Sequence, residues 1–150
     1  MRRQAGKSAN AGQDPAVIAA LQAALAAEQA ASYGYGVVGS HLTGAKFAQA
    51  YADGVAHERA RDSLTVMITD RSAQPRPAAV AYQLPIRVAS PAQAIALATL
   101  MEHQVAAAYP ALVAVFDPAL RAFAARRMAS CAVTAARWSG HSQAFPGLRG

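Results

Sequence analysis

Apolar positions recur along this chain at steps of three and four residues. Leu21, Leu25, Glu28, Ser32 and Tyr35 form one such stripe, and Phe47, Tyr51, Gly54, Glu58, Arg61, Thr65 and Ile68 form a second. Ile95, Glu102, Tyr109 and Phe116 recur at sevens, with Thr99, Val105 and Leu112 between them. Steps of three and four place residues on one face of a helix, so these are the faces expected to be buried. No stretch alternates over enough residues to suggest a sheet.

Start and stop signals divide the pattern into four helices. The first opens at Asp14-Pro15, a capping residue followed by proline at the first helical position, and runs to about His41. The second runs from about Ala45 to Arg71. Prolines 75, 77 and 85 break any helix in the stretch that follows. The third helix opens at Ser90-Pro91 and continues to about Phe116, with a kink expected at Pro110. The fourth opens at Asp117-Pro118 and ends near Gly140-His141.

The connections predict the topology. Helices one and two, and helices three and four, are joined by a few residues each, so each pair is expected to be antiparallel. The middle connection has some 19 residues and could reach about 60 Å, against about 40 Å for a 27-residue helix. A crossover running the length of the bundle uses that reach. The expected fold is all-α: a four-helix bundle over 14–142, with one long crossover between helices 2 and 3. Polar tails are expected over 1–13 and 143–150.

The chain contains three glutamates, Glu28, Glu58 and Glu102, one on each of the first three predicted helices and each near mid-helix. On the stripes above they would point inward and share one layer. Unpaired, each would cost several kcal/mol to bury, and together they would repel. A metal ion, a paired arginine or retained protons could offset that cost.

The segments Ala27-Glu28-Gln29-Ala30-Ala31-Ser32-Tyr33-Gly34-Tyr35, Ala56-His57-Glu58-Arg59-Ala60-Arg61-Asp62, Tyr82-Gln83-Leu84-Pro85 and Phe145-Pro146-Gly147 carry a resemblance. With the three glutamates, they resemble an uncharacterised, alanine-rich actinobacterial ferritin-like family, a domain of unknown function. The resemblance runs from Asp14 to Leu148 and implies the ferritin-like fold without an established activity. It also implies where metal would bind in di-iron relatives, and there the chain departs from the pattern. Such centres take about four carboxylates and two histidines, partly as Glu-x-x-His pairs. Here Glu58 is followed at i+3 by Arg61 and Glu102 by Val105, and the middle of the fourth helix offers Arg127, Met128, Ser130 and Cys131.

Two readings of the layer follow. In the favoured one, Arg61 bridges Glu28, Glu58 and Glu102 in a core network with Tyr35, and no cofactor or catalytic residue is expected. In the alternative, Glu28, Glu58 and Glu102, with His57 and His103 as further candidate ligands, hold iron or manganese in an oxidoreductase. His57 and His103 each sit about 100° around the helix from a glutamate, so a polar or interface role is the first expectation for both.

Composition narrows the partners. Alanine supplies 41 of the 150 residues, which favours helix and close helix contact. The net charge of +6 is spread along the chain, so nucleic acid is not the expected partner. No apolar run reaches the roughly 20 residues of a membrane span, and Arg2-Arg3 precedes no apolar segment of a signal peptide. The single Cys131 fits a reducing compartment, and a cytoplasmic location is expected. Gly34-x-Gly36-x-x-Gly39 matches a dinucleotide-binding fingerprint in spelling, but lies inside a helix with no preceding strand. A non-catalytic binding or scaffold bundle is expected, forming a homodimer, with Phe145 to Leu148 available to a protein partner.

Overall fold

The computed structural model describes residues 13–141. Residues 1–12 and 142–150 lie outside the described residues, and with them the expected tail over 1–13 except Gln13 and the whole of the expected tail over 143–150, including Phe145-Pro146-Gly147. Five helices follow in order: α1 (Pro15–Ser40), α2 (Gly44–Thr69), α3 (Pro91–Ala107), a single turn α4 (Pro110–Val113) and α5 (Pro118–Ser139). Among the described residues there is no strand.

The capping chemistry works as the sequence suggests. Asp14 accepts from the Ala16 amide, Ser90 from Gln93, and Asp117 from Ala119 and Leu120, each just before a proline at the helix start. Gly140, at φ 75°, closes α5 in the left-handed conformation that lacks a Cβ penalty. The third helix does not continue to Phe116. It stops at Ala107, and Pro110, which has no amide hydrogen, opens a separate turn. Phe116 is therefore no core residue; it is fully exposed.

Ser72 takes φ 58° just beyond α2, where its amide bonds back to the Thr69 carbonyl. A non-glycine residue in that region is strained. Ser72→Gly is expected to raise stability by about 0.5–1 kcal/mol, seen as a higher urea midpoint with an unchanged slope.

Contacts along the helices give their directions. Gly39 meets Phe47, and Glu28 meets His57, so α1 and α2 are antiparallel. Tyr35 reaches Glu102 while Glu28 reaches Tyr109, so α1 and α3 are antiparallel too. Tyr109 packs edge-on to Phe123, 6.1 Å between centroids, at the start of α5. Arg71 at the end of α2 pairs with Asp117 at the start of α5. α1 packs closely on α2 and on α3, and α3 on α5, which leaves α2 and α3 on a diagonal.

That diagonal requires the connecting chain to climb the bundle, and residues 70–90 do so along α1. The Gln22 side chain donates to the Gln74 carbonyl (2.6 Å) and accepts from the Arg76 amide (3.0 Å). Gln29 donates to the Arg76 carbonyl, and Tyr33 meets Tyr82 at 5.6 Å between ring centroids. Leu84, Ile86 and Val88 then pack on the cluster around Tyr35, Val38 and Leu97.

The apolar core falls into two clusters. One gathers Leu21, Leu25, Leu64, Ile68 and Leu112; the other gathers Tyr35, Val38, Leu97, Met101 and Trp138. Between their levels lies a layer of charged side chains.

Candidate functional site: a closed polar layer

Four helices each contribute to the layer. Glu28 comes from α1, His57 from α2, Glu102 from α3 and Arg127 from α5. Glu28 has no exposed surface, and His57 and Glu102 are almost as deeply buried.

His57 is the bridge. Its Nδ1 lies 2.6 Å from Glu28 Oε2 and its Nε2 lies 2.9 Å from Glu102 Oε1. A carboxylate oxygen only accepts, so each ring nitrogen must donate and the ring is an imidazolium. Burial by itself would lower the pKa of His57. The hydrogen bonds to Glu102 and Glu28 outweigh it and push the pKa up to about 9.

Arg127 clamps Glu28 from the other side. Its Nε donates to Oε1 at 3.0 Å, and its Nη2 lies 2.9 Å from Oε1 and 3.1 Å from Oε2. Tyr109 adds its hydroxyl to the same Oε1. Burial would raise the Glu28 carboxyl, but His57 and Arg127 prevail and hold it below its usual value. Tyr35 donates to Glu102 Oε1 at 2.6 Å and stacks on His57 with 5.2 Å between centroids. Burial and the neighbouring carboxylates keep both tyrosines protonated well beyond their ordinary range.

With two carboxylates, one imidazolium and one guanidinium, the layer is electrically neutral. A second buried polar group lies one turn above. Asp53 on α2 accepts from Trp138 Nε1 at 2.9 Å and from Arg137 Nη2 at 3.0 Å. Burial raises its carboxyl even so. Cys131 is buried beside the layer, and burial pushes its thiol up, so it is a poor nucleophile.

Several expected site residues are elsewhere. Glu58 does not point inward; it is exposed. Arg61 does not bridge glutamates; it is half-exposed and pairs with its neighbour Asp62 at 2.9 Å. His103 is half-buried and makes none of the layer's hydrogen bonds. The cause is a one-residue error in the phase of α2. Phe47 and Tyr51 suggested a core face, yet both are exposed, and the buried face carries Ala50, Asp53, His57, Ala60, Leu64 and Ile68. Those residues also recur at three and four, a signal that alanine and a polar pair made easy to pass over. The same holds for Leu120, Ala124, Cys131 and Trp138 on α5, whose phase puts Arg127 inward.

The resemblance implies a metal centre at this level, and the donor chemistry does not fit one. Both nitrogens of His57 and both oxygens of Glu28 are engaged in hydrogen bonds. The fourth side is a guanidinium, which has no lone pair to give a metal. Among the described residues, no group of three or more His, Cys, Asp or Glu is disposed to hold an ion. Nor is any described helix long and apolar enough to cross a membrane.

Fold and layer together define an all-helical four-helix bundle closed around an internal salt-bridge network. Residues 20–150 match the family described as "Domain of unknown function (DUF4439)", and the chain belongs to that family. It is also similar to the crystal structure of a conserved hypothetical protein from Mycobacterium tuberculosis, with 36% sequence identity and a TM-score of 0.82 over 85% of this chain and 97% of the other. No curated protein matches the chain.

Proposed function

We propose that the protein is a ferritin-like bundle that acts as a non-catalytic binding or scaffold protein, its metal centre replaced by the Glu28–His57–Glu102–Arg127 layer. One observation carries this reading: the Arg127 guanidinium contacts both oxygens of Glu28. It supplies the positive charge that a cation would otherwise bring, and it does so without exposing a donor atom. The ferritin-like assignment is supported by the crossover of residues 70–90 and by the diagonal placement of α2 and α3. No side chain in the layer is free to act as a nucleophile, and the tyrosine hydroxyls are committed to carboxylates.

Metal analysis of protein purified without chelator tests the proposal. The expected result is well below one iron, manganese or zinc per chain, with no change in thermal midpoint when Fe(II) or Mn(II) is added. Stoichiometric metal that disappears in Glu28→Ala would overturn it in favour of an iron- or manganese-dependent oxidoreductase.

A further inference from the structure

Helix α2 carries two stripes at helical spacing, and the core uses one. The other comprises Phe47, Tyr51, Val55 and Glu58, on the outer side of the α1–α2 pair, with Gly54 beside them turned toward Tyr35 of α1. Phe47 is half exposed and Tyr51 is 69% exposed. Two aromatic side chains in register on one surface helix are more than scattered apolar exposure. Beside them runs a groove between α1 and α2, bounded by Tyr51, Val55 and Glu58 and floored by Ser32, Gly36 and Gly54. A Cβ at Gly36 would meet nothing within 4 Å, so the floor is open to an incoming side chain.

We infer that this face is the contact between two copies of the chain, with α2 lying antiparallel on α2 of a second copy and the two-fold axis at Gly54–Val55. The chemistry of the stripe is self-complementary about that point. A hydrogen-bond donor, Tyr51, stands three to four residues before the axis, and a carboxylate acceptor, Glu58, stands three to four residues after it. Antiparallel pairing therefore sets Tyr51 of each copy against Glu58 of the other, twice over, as an isologous interface requires. The two Glu58 carboxylates stay about 10 Å apart along the pair, at 1.5 Å per residue. Phe47 falls opposite the Arg61–Asp62 pair, where its ring covers the guanidinium stem. At the axis the residue that faces the second copy is Val55; Gly54 is turned to α1, where an added Cβ would lie 3.2 Å from the Tyr35 Cβ. Tyrosine at the centre of a patch with a polar rim is the composition such contacts favour. The inference is independent of the buried layer: none of Tyr51, Val55 and Glu58 belongs to it, and metal content does not enter its test.

Sedimentation equilibrium of the full chain is the test. The wild type is expected at twice the chain mass at about 50 µM, and Tyr51→Ala or Glu58→Ala to weaken association by about a hundredfold, about tenfold for each of the two symmetry-related hydrogen bonds lost. Val55→Lys and Val55→Glu each place like charges across the axis and are expected to be monomeric. An equimolar mixture of the two is expected to recover the dimer mass. Gly36→Arg fills the open floor and is expected to be monomeric as well, which covers the case in which a Val55 variant loses its thermal midpoint. A wild type at single-chain mass at about 100 µM would overturn the inference. So would a Val55→Lys dimer, or a mixture of the two charged variants that stays monomeric. Wild type that stays monomeric but captures a different protein through Tyr51 also overturns it.

Discussion

Arg127→Met lowers folding stability by about 3–5 kcal/mol, the cost of stranding one partner of a buried ion pair. Methionine keeps most of the side-chain length, so packing loss is small. What disappears is the charge facing Glu28, which has no access to solvent. The layer then holds two carboxylates against one imidazolium, and one carboxyl must take up a proton or remain unpaired. Chemical denaturation measures the loss as a fall in midpoint. Arg61→Met is the matched control: Arg61 pairs only with its exposed neighbour Asp62, and its removal is expected to change stability by no more than about 0.5 kcal/mol. Removing both sides of the buried pair, in Arg127→Met with Glu28→Leu, restores part of what the single change loses, because no unpaired charge is left behind. Equal effects of Arg127→Met and Arg61→Met would contradict the assignment of the clamp.

The second large effect is a loss of stability in mild alkali. His57 rises from an ordinary 6.5 to about 9 on folding. A raised pKa means that the folded state binds the proton more tightly than the unfolded chain does. The stabilisation is therefore complete below pH 6.5, and it is lost as pH climbs from there through about 9. At 1.36 kcal/mol per unit the full span is on the order of 3 kcal/mol. Glu28 acts at the other end: its carboxyl is lowered on folding, so its contribution is present above pH 4.5 and lost as pH falls below. Tyr35 and Tyr109 are raised, and being acids they begin to destabilise only above pH 10. Urea midpoints at pH 6, 7, 8 and 9 are expected to decline steadily in the wild type and to stay nearly level in His57→Gln. A flat wild-type profile would mean that His57 is not the bridging cation.

The architecture was legible because it is written in strong local signals. Capping residues before proline at Asp14, Ser90 and Asp117 mark three helix starts, and the prolines of residues 70–90 leave a connection long enough to cross the bundle. Glu28, Glu102 and Tyr35 were legible because they interrupt stripes of leucine, isoleucine and valine, which leave little choice of phase. On α2 and α5 the stripes mix alanine with polar residues, as at Ala50, Asp53, His57 and Ala60. A methyl group distinguishes inside from outside by little free energy, so the aromatic residues of α2 fixed the wrong phase. A rotation of one residue exchanged Glu58 for His57. The arginine that matters could not be found from i+3 spacing either, since Arg127 reaches Glu28 from 99 residues away. A paired arginine was one of three ways to offset the buried carboxylates, beside a metal ion and retained protons, and Arg61 was the arginine expected for it. Which cation it was depended on tertiary packing.

The layer is also divided in a particular way between the halves of the molecule. The α1–α2 hairpin carries Glu28 and His57; the α3–α5 half carries Glu102 and Arg127. Each half therefore brings one carboxylate and one cationic partner, His57 or Arg127, to the folded layer. On docking, Arg127 reaches across to Glu28 and His57 reaches across to Glu102. His57 keeps its bond to Glu28 within the hairpin, so the two cross-half pairs are added to it. A slip of one turn between the halves, about 5.4 Å, breaks both cross-half pairs at once. The layer thus acts as a vernier, adding a sharp polar register to the apolar packing of Leu21, Leu25, Leu97 and Met101.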